Sequence, residues 1–127
     1  MRSMTPIVFA ILTGLPAFAA DAPVFSHGDK FEEQTGETLY AGICQGCHMP
    51  NAKGAAGAGH YPALAGNPKL EAAGYPLTVV LHGLNGMPPV GEMLSDAQVA
   101  MVVNYVRTHF GNNYTDAVKP EDVKQLR

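Results

Sequence analysis

Two cysteines and a histidine stand within one pentapeptide, Cys44-Gln45-Gly46-Cys47-His48, and the chain has no other cysteine. Two thiols about one helical turn apart can each add to a vinyl group of one haem. The histidine that follows directly lies under the same ring and can offer a nitrogen to its iron. Other uses of C-x-x-C fit less well. A thioredoxin-like redox pair expects a βαβ context, which the pattern lacks. A zinc site needs further ligands, and this pentapeptide supplies three. A plain disulfide gives His48 no role. The spacing predicts one covalently attached haem c.

What must position these groups is a short chain. Its 127 residues, 46% hydrophobic and 15% charged, make one domain, too polar for an integral membrane protein. Eight Lys and Arg against 11 Asp and Glu give a net charge of −3, which argues against a nucleic-acid partner. The 14 glycines and 10 prolines point to extensive loop, and a chain with so little apolar material needs something extra to fill its centre.

Residues 1–19 read as a secretory signal peptide. Arg2 supplies the positive end, Pro6 to Leu15 the apolar stretch, and Ala17-Phe18-Ala19 the small-x-small cleavage signal. The apolar run falls short of the ~20 residues that span a bilayer, so stable membrane insertion after cleavage is not expected. Cleavage after Ala19 removes one arginine and leaves seven basic against 11 acidic side chains in an oxidising, periplasmic setting. Residues 20–28 form a lead-in, 29–111 the haem domain and 112–127 a polar C-terminal extension.

A first helix is expected over Lys30 to Ile43. Asp29 and Thr35 are alternative caps, and Leu39, Tyr40 and Ile43 share one face. Gly36 either precedes the helix proper or marks a place where another helix passes too close for a side chain. The second helix is better defined and should run Asp96 to Phe110. Ser95 and Gln98 form a capping box, Leu94 and Val99 a hydrophobic staple, and Gly111 a left-handed stop. Val99, Val102, Val103, Val106 and Phe110 follow at helical spacing. Pro76 can open a short helix over Leu77 to Leu81, and Pro120 a last turn through Leu126. The remainder of 49–93 reads as loop, no alternating strand pattern is visible, and the fold class is all-α.

Over residues 29–111 the chain resembles the class I c-type cytochromes, small monohaem electron carriers. Gly36, Tyr40 and Cys44 keep that family's G-x-x-x-aromatic-x-x-x-C register, and Cys44, Cys47 and His48 match its attachment motif. Pro62-Ala63-Leu64-Ala65-Gly66 matches its P-x-L-x-G loop, Met87-Pro88 its methionine-ligand loop, and Tyr105 the aromatic position of its final helix. The resemblance implies a small cytochrome c fold, with three to five helices and long loops wrapped around one haem. Gly36 would then lie where the first and last helices cross, near Tyr105. It also implies that the Pro62 carbonyl meets the second nitrogen of His48 and that Leu64 packs on the haem from the same side.

The sixth iron ligand is expected to be Met87. Glycines before it and prolines after it shape a tight, stiff loop. Met101 lies inside the final helix, Met49 adjoins His48, and Met93 is the competitor. An open position, or one filled by His60, His82 or His109, is the remaining alternative. Val79, Val80, Leu84, Leu94, Val102 and Val106 are candidates for the haem wall. Tyr75 and Asn67 are candidates for the propionate side, which the sequence leaves open. With His48 and Met87 both bound, the iron has no free site and exchanges one electron with little movement. The expected function is a one-electron carrier. It would take electrons from a periplasmic flavin- or quinone-cofactor dehydrogenase and pass them to cytochrome oxidase or another cytochrome. The alternative is a haem enzyme or gas-binding module with an open sixth position.

Overall fold

The computed structural model describes residues 30–57 and 59–127. The expected signal peptide and lead-in, with His27, and the candidate cap Asp29 lie outside the described residues. The elements are helix α1 (Gly36–Leu39), a π-helical turn (Tyr40–Cys44), α2 (Gln45–His48), strands β1 (Ala55–Ala56) and β2 (His60–Tyr61), a 3-10 turn (Pro68–Leu70), α3 (Gly74–His82), a second 3-10 turn (Val90–Met93), α4 (Asp96–Thr108) and α5 (Pro120–Leu126). Among the described residues no helix is long and apolar enough to cross a membrane.

Of the two candidate caps Thr35 is the one used, so the first helix begins at Gly36, six residues after Lys30, and its path runs to His48, five residues beyond Ile43. Thr35 sets the start: its hydroxyl accepts from the Thr38 amide while the Thr38 side chain accepts from the Thr35 amide. The stretch from Lys30 to Gln34 lies outside the helix and is tied to the far helix, because Gln98 Nε2 donates to the Phe31 and Glu33 carbonyls. The helical path continues unbroken through α1, the π turn and α2. Gln45 N–H reaches back to the Tyr40 carbonyl, the wide hydrogen bond of a π bulge.

Gly36 is the first residue of α1, inside the helix and not before it, and the close-approach reading holds. A Cβ built there would lie 2.5 Å from the Met101 carbonyl oxygen and 2.6 Å from Tyr105 Cβ. The backbone of α1 therefore rests directly on α4, with Tyr40, Tyr105 and Phe110 clustered beside the contact.

Helix α4 is the axis of the molecule: α1, α3 and α5 all pack on it. Its capping box forms as expected, with Ser95 Oγ accepting from the Gln98 amide and Gln98 Oε1 from the Ser95 amide. Val99, Val102, Val103 and Val106 are buried in one core with Leu39, Tyr40, Leu77, Leu81 and Leu94. The helix ends at Thr108, two residues early. His109 is extended, and Phe110 turns to a φ of +57° so that its ring meets Tyr40 and Tyr105, while Gly111 takes the left-handed stop. Helix α3 starts at Gly74, so Pro76 sits inside the first turn, where it removes no helical hydrogen bond. Helix α5 spans the expected residues, Pro120–Leu126.

Two features depart from the loop reading of the remainder of 49–93. Ala55–Ala56 pairs antiparallel with His60–Tyr61, a sheet of two-residue strands too short to write a period-two pattern. The two 3-10 turns are likewise too short for periodicity to announce.

The segment 112–127 is polar in sequence but packed in structure. Val118 and Val123 are buried in the core. Asn104 fixes Val118 by exchanging two hydrogen bonds with its backbone. Arg107, wholly buried, spends its guanidinium on the carbonyls of Leu70, Glu71 and Asp116 and on the Asp116 carboxylate. It thereby ties the 68–71 turn and the tail to α4.

Replacing Gly36 with alanine should lower the unfolding free energy by about 1–3 kcal/mol, because the rigid Met101 carbonyl cannot give way. That loss should prevail over alanine's better helix propensity, and chemical denaturation of the purified protein reads it. The hydrogen bond from Arg107 holds the Asp116 carboxyl below the usual range. The contribution of this pair to stability is therefore complete above the ordinary aspartate pKa of about 3.9 and fades as pH falls through the depressed folded value. The stability gap between wild type and Asp116→Asn should narrow over that acidic window, as followed by unfolding at several pH values.

Candidate haem site

The π turn brings the three motif side chains to the end of the helical path. Leu39, just before it, and Tyr40, its first residue, face the core, and His48 is buried after it. Cys44 is half-buried and Cys47 exposed, and both thiols are free. Burial, and then the nearby Cys47, push the Cys44 thiol up to about 12. A thiol-disulfide catalyst needs the opposite, a thiol held in the thiolate form near neutral pH. Among the described residues no three His, Cys, Asp or Glu side chains converge as a metal cage, which removes the support for a zinc reading.

His48 is oriented through its second nitrogen. Nδ1 lies 2.8 Å from the Pro62 carbonyl oxygen, the same pair that the resemblance links. A carbonyl can only accept, so the proton sits on Nδ1 and the Nε2 lone pair is free. The Pro62 loop is pinned in turn. The Leu64 and Ala65 amides both donate to the Ala52 carbonyl, and Asn112 Nδ2 donates to the Leu64 carbonyl. The chain after His48 reverses at Met49, which has a φ of +67°. Tyr40 Oη holds that turn by donating to the Met49 carbonyl at 2.7 Å. Burial raises the Tyr40 hydroxyl to about 12, so it stays a donor at any working pH.

Met87 sits half-buried in the loop between α3 and the Val90–Met93 turn. Leu84 and Met87 exchange two backbone hydrogen bonds, N to O at 3.0 and 2.9 Å, which closes the loop on itself. Gly83 opens it with a φ of +74°, and a Cβ there would lie 2.6 Å from the Met87 carbonyl oxygen. The residues from His82 to Pro89 line an open depression of about 450 Å³.

The remaining candidates separate by environment. Met93 is 38% exposed, and Met101 is half-buried on α4. His60 is exposed in β2, His82 donates to the Leu126 carbonyl, and His109 stacks on Tyr105 with ring centroids 4.1 Å apart. Leu94, Val102 and Val106 are buried, Leu64, Val79 and Val80 half-buried, and Leu84 is 47% exposed beside Met87. Asn67 spends its side chain on Lys69 N and the Ala63 carbonyl, and Tyr75 is exposed.

The backbone-holding roles of Arg107, Asn104, Asn112 and Gln98 were not read from sequence. A buried arginine at helical spacing inside the apolar face of α4 is the one signal that could have marked Arg107, since such residues are buried only when fully paired.

Residues 31–106 match a protein-family model described as cytochrome c oxidase, cbb3-type, subunit III. Cytochrome c-552 of Thermus thermophilus is 32% identical, over 97% of this chain and 85% of its own length. The fructose dehydrogenase cytochrome subunit of Gluconobacter japonicus is 32% identical over 72% of this chain, and the gluconate 2-dehydrogenase cytochrome c subunit of Pantoea cypripedii is 31% identical over 91% of it. The chain spans 22% and 31% of the lengths of those two dehydrogenase subunits. With two free thiols and an oriented imidazole closing one helical path, and with these matches, the chain belongs to the cytochrome c family, in its cbb3-type branch, whose cofactor is haem c and whose chemistry is electron transfer.

Proposed function

We propose that Cys44 and Cys47 would hold haem c through thioether bonds, and that His48 Nε2 and the Met87 sulfur would ligate its iron. The chain then works as a one-electron carrier. The observation that carries this reading is the His48–Pro62 hydrogen bond, which leaves Nε2 as a lone-pair donor beside two unpaired thiols. Bound in this way, haem c supplies reversible one-electron exchange at an iron with no free coordination position.

The chain's own residues do the positioning. The Pro62 carbonyl fixes the tautomer and orientation of His48 and raises its basicity. The Tyr40 hydroxyl fixes the reversal at Met49 that lets the chain pass from His48 towards the Pro62 loop. Gly83 and the paired Leu84–Met87 backbone set the height at which the Met87 sulfur is presented. Leu64 is assigned to the His48 side of the ring, and Val79, Val80, Leu84, Leu94, Val102 and Val106 to its apolar wall, where they exclude water.

For the donor we favour a periplasmic flavin- or quinone-cofactor dehydrogenase, and for the acceptor cytochrome oxidase or another cytochrome. The names of relatives support the donor: fructose dehydrogenase, gluconate 2-dehydrogenase and quinone alcohol dehydrogenase cytochrome subunits. Residues 1–19 would export the chain, with cleavage after Ala19. Such encounters use small, weak interfaces, and the acidic balance favours a basic docking patch on the partner.

Protein produced in a haem-maturing periplasm should keep its pigment through acidified-acetone extraction; pigment released into the solvent would overturn covalent attachment. Met87→Ala should abolish the sulfur-to-iron charge-transfer band and lower the reduction potential, while Met93→Ala should leave both in place. The reverse pattern, or rapid carbon monoxide or cyanide binding by the wild type at neutral pH, would sink the His/Met assignment.

A further inference from the structure

The end of α5 touches both feet of the Met87 loop. On the entry side, His82 closes α3 just before Gly83, and its Nε2 donates to the Leu126 carbonyl at 2.9 Å. On the exit side, Arg127 Nη1 donates to the Gly91 carbonyl at 3.0 Å and Nη2 to the Leu94 carbonyl at 2.7 Å. Its Nε donates to Asp96 Oδ1 at 2.6 Å, on the first turn of α4. One guanidinium thus holds three acceptors within the segment 91–96, where the loop chain rejoins the core. Between the feet, Leu84, Asn85, Gly86, Pro88 and Pro89 are all exposed, so the loop has little packing of its own.

We infer that Arg127, at the end of α5, is a positioning residue for Met87: with Leu126 it clamps the two feet of the loop and keeps the sulfur seated on the iron. The inference rests on the assignment of Met87 as ligand. A hinged loop lets an axial methionine swing away only if its feet can part or twist. Here both feet are referred to a single helix, itself fixed by the buried Val123. The planar fork of arginine suits the task because it meets several acceptors at once with little entropy lost per bond. The acceptors are mostly backbone carbonyls, so the clamp fixes chain position and not merely a charge pair. The Arg127–Asp96 pair is about one-third exposed on each side and contributes less than its distance implies.

The test uses the haem-loaded protein and imidazole as the competing ligand, with loss of the sulfur-to-iron charge-transfer band as the readout. Arg127→Ala should let imidazole displace the sulfur about tenfold faster, the factor that one lost charge-assisted hydrogen bond provides. Arg127→Lys should recover part of the slow exchange. Thr35→Ala removes the α1 cap, far from the loop, and should leave the exchange rate within about twofold of wild type while lowering stability. An unchanged rate in Arg127→Ala, or equal acceleration in Thr35→Ala, overturns the clamp. Met87→Ala run alongside separates the two claims. A band that survives in Met87→Ala removes the ligand assignment and the clamp with it. A band lost there but an Arg127→Ala rate like wild type removes the clamp alone.

Discussion

At Gly36 the backbone of the motif-bearing helix lies against the backbone of α4 with no side chain between them. Contact this close turns two helices into one rigid unit, because any relative slide drives α1 into the Met101 carbonyl or the Tyr105 side chain. The rest of the site is measured from that contact. Tyr40, one turn on from Gly36, joins the ring cluster with Tyr105 and Phe110 and reaches out to the Met49 carbonyl. His48, at the end of the same helical path, meets the Pro62 carbonyl. The wide π turn between them changes the rotation of the helix. Tyr40 opens that turn and is buried, Cys44 closes it packed against the core, and Cys47 and His48 follow, the first exposed and the second buried.

A second constraint follows from composition. Long stretches rich in glycine and proline have backbone groups that no ladder or helix satisfies, and polar groups left bare in a core cost free energy. In this chain side chains satisfy them. Arg107 serves three carbonyls, Asn112 serves two, Asn104 clasps Val118, and Gln98 both closes its own capping box and holds the Phe31 and Glu33 carbonyls. Among the described residues no buried side-chain nitrogen or oxygen lacks a partner. Most of these side chains come from α4 or the turn just after it, so the best-formed helix also organises the loops that surround the site.

The comparisons and the geometry bear on different questions. Membership of the cytochrome c family settles the cofactor and the kind of chemistry. The geometry bears on how the proposed ligands, His48 and Met87, would be held: an imidazole whose outer nitrogen is committed to a backbone carbonyl, and a methionine on a loop closed by its own hydrogen bonds and tied at both feet.

Local signals in the chain determined what local physics controls. The pentapeptide spacing, the Ser95–Gln98 capping box, the valine periodicity of α4 and the proline that opens α5 each depend on neighbours a few residues away, and each is legible in the chain order. Gly36 was legible as a choice between two readings, of which the structure takes the close approach of a second helix. Thr35 was legible as one of two caps, and tertiary structure decided between them, since Gln98, more than sixty residues downstream, holds the Phe31 and Glu33 carbonyls. It also decided the π turn, the two-residue strands, the burial of a polar tail and the task of Arg107. For the helix start, the tail and Arg107 the deciding partner is distant in sequence, whereas the two strands pair with each other across a short reversal. A hydrogen bond from α4 to a loop carbonyl leaves no periodic trace in the loop that receives it. A side chain's neighbours within a turn can be counted from the chain, whereas a buried guanidinium is explained only by the carbonyls that the fold delivers to it.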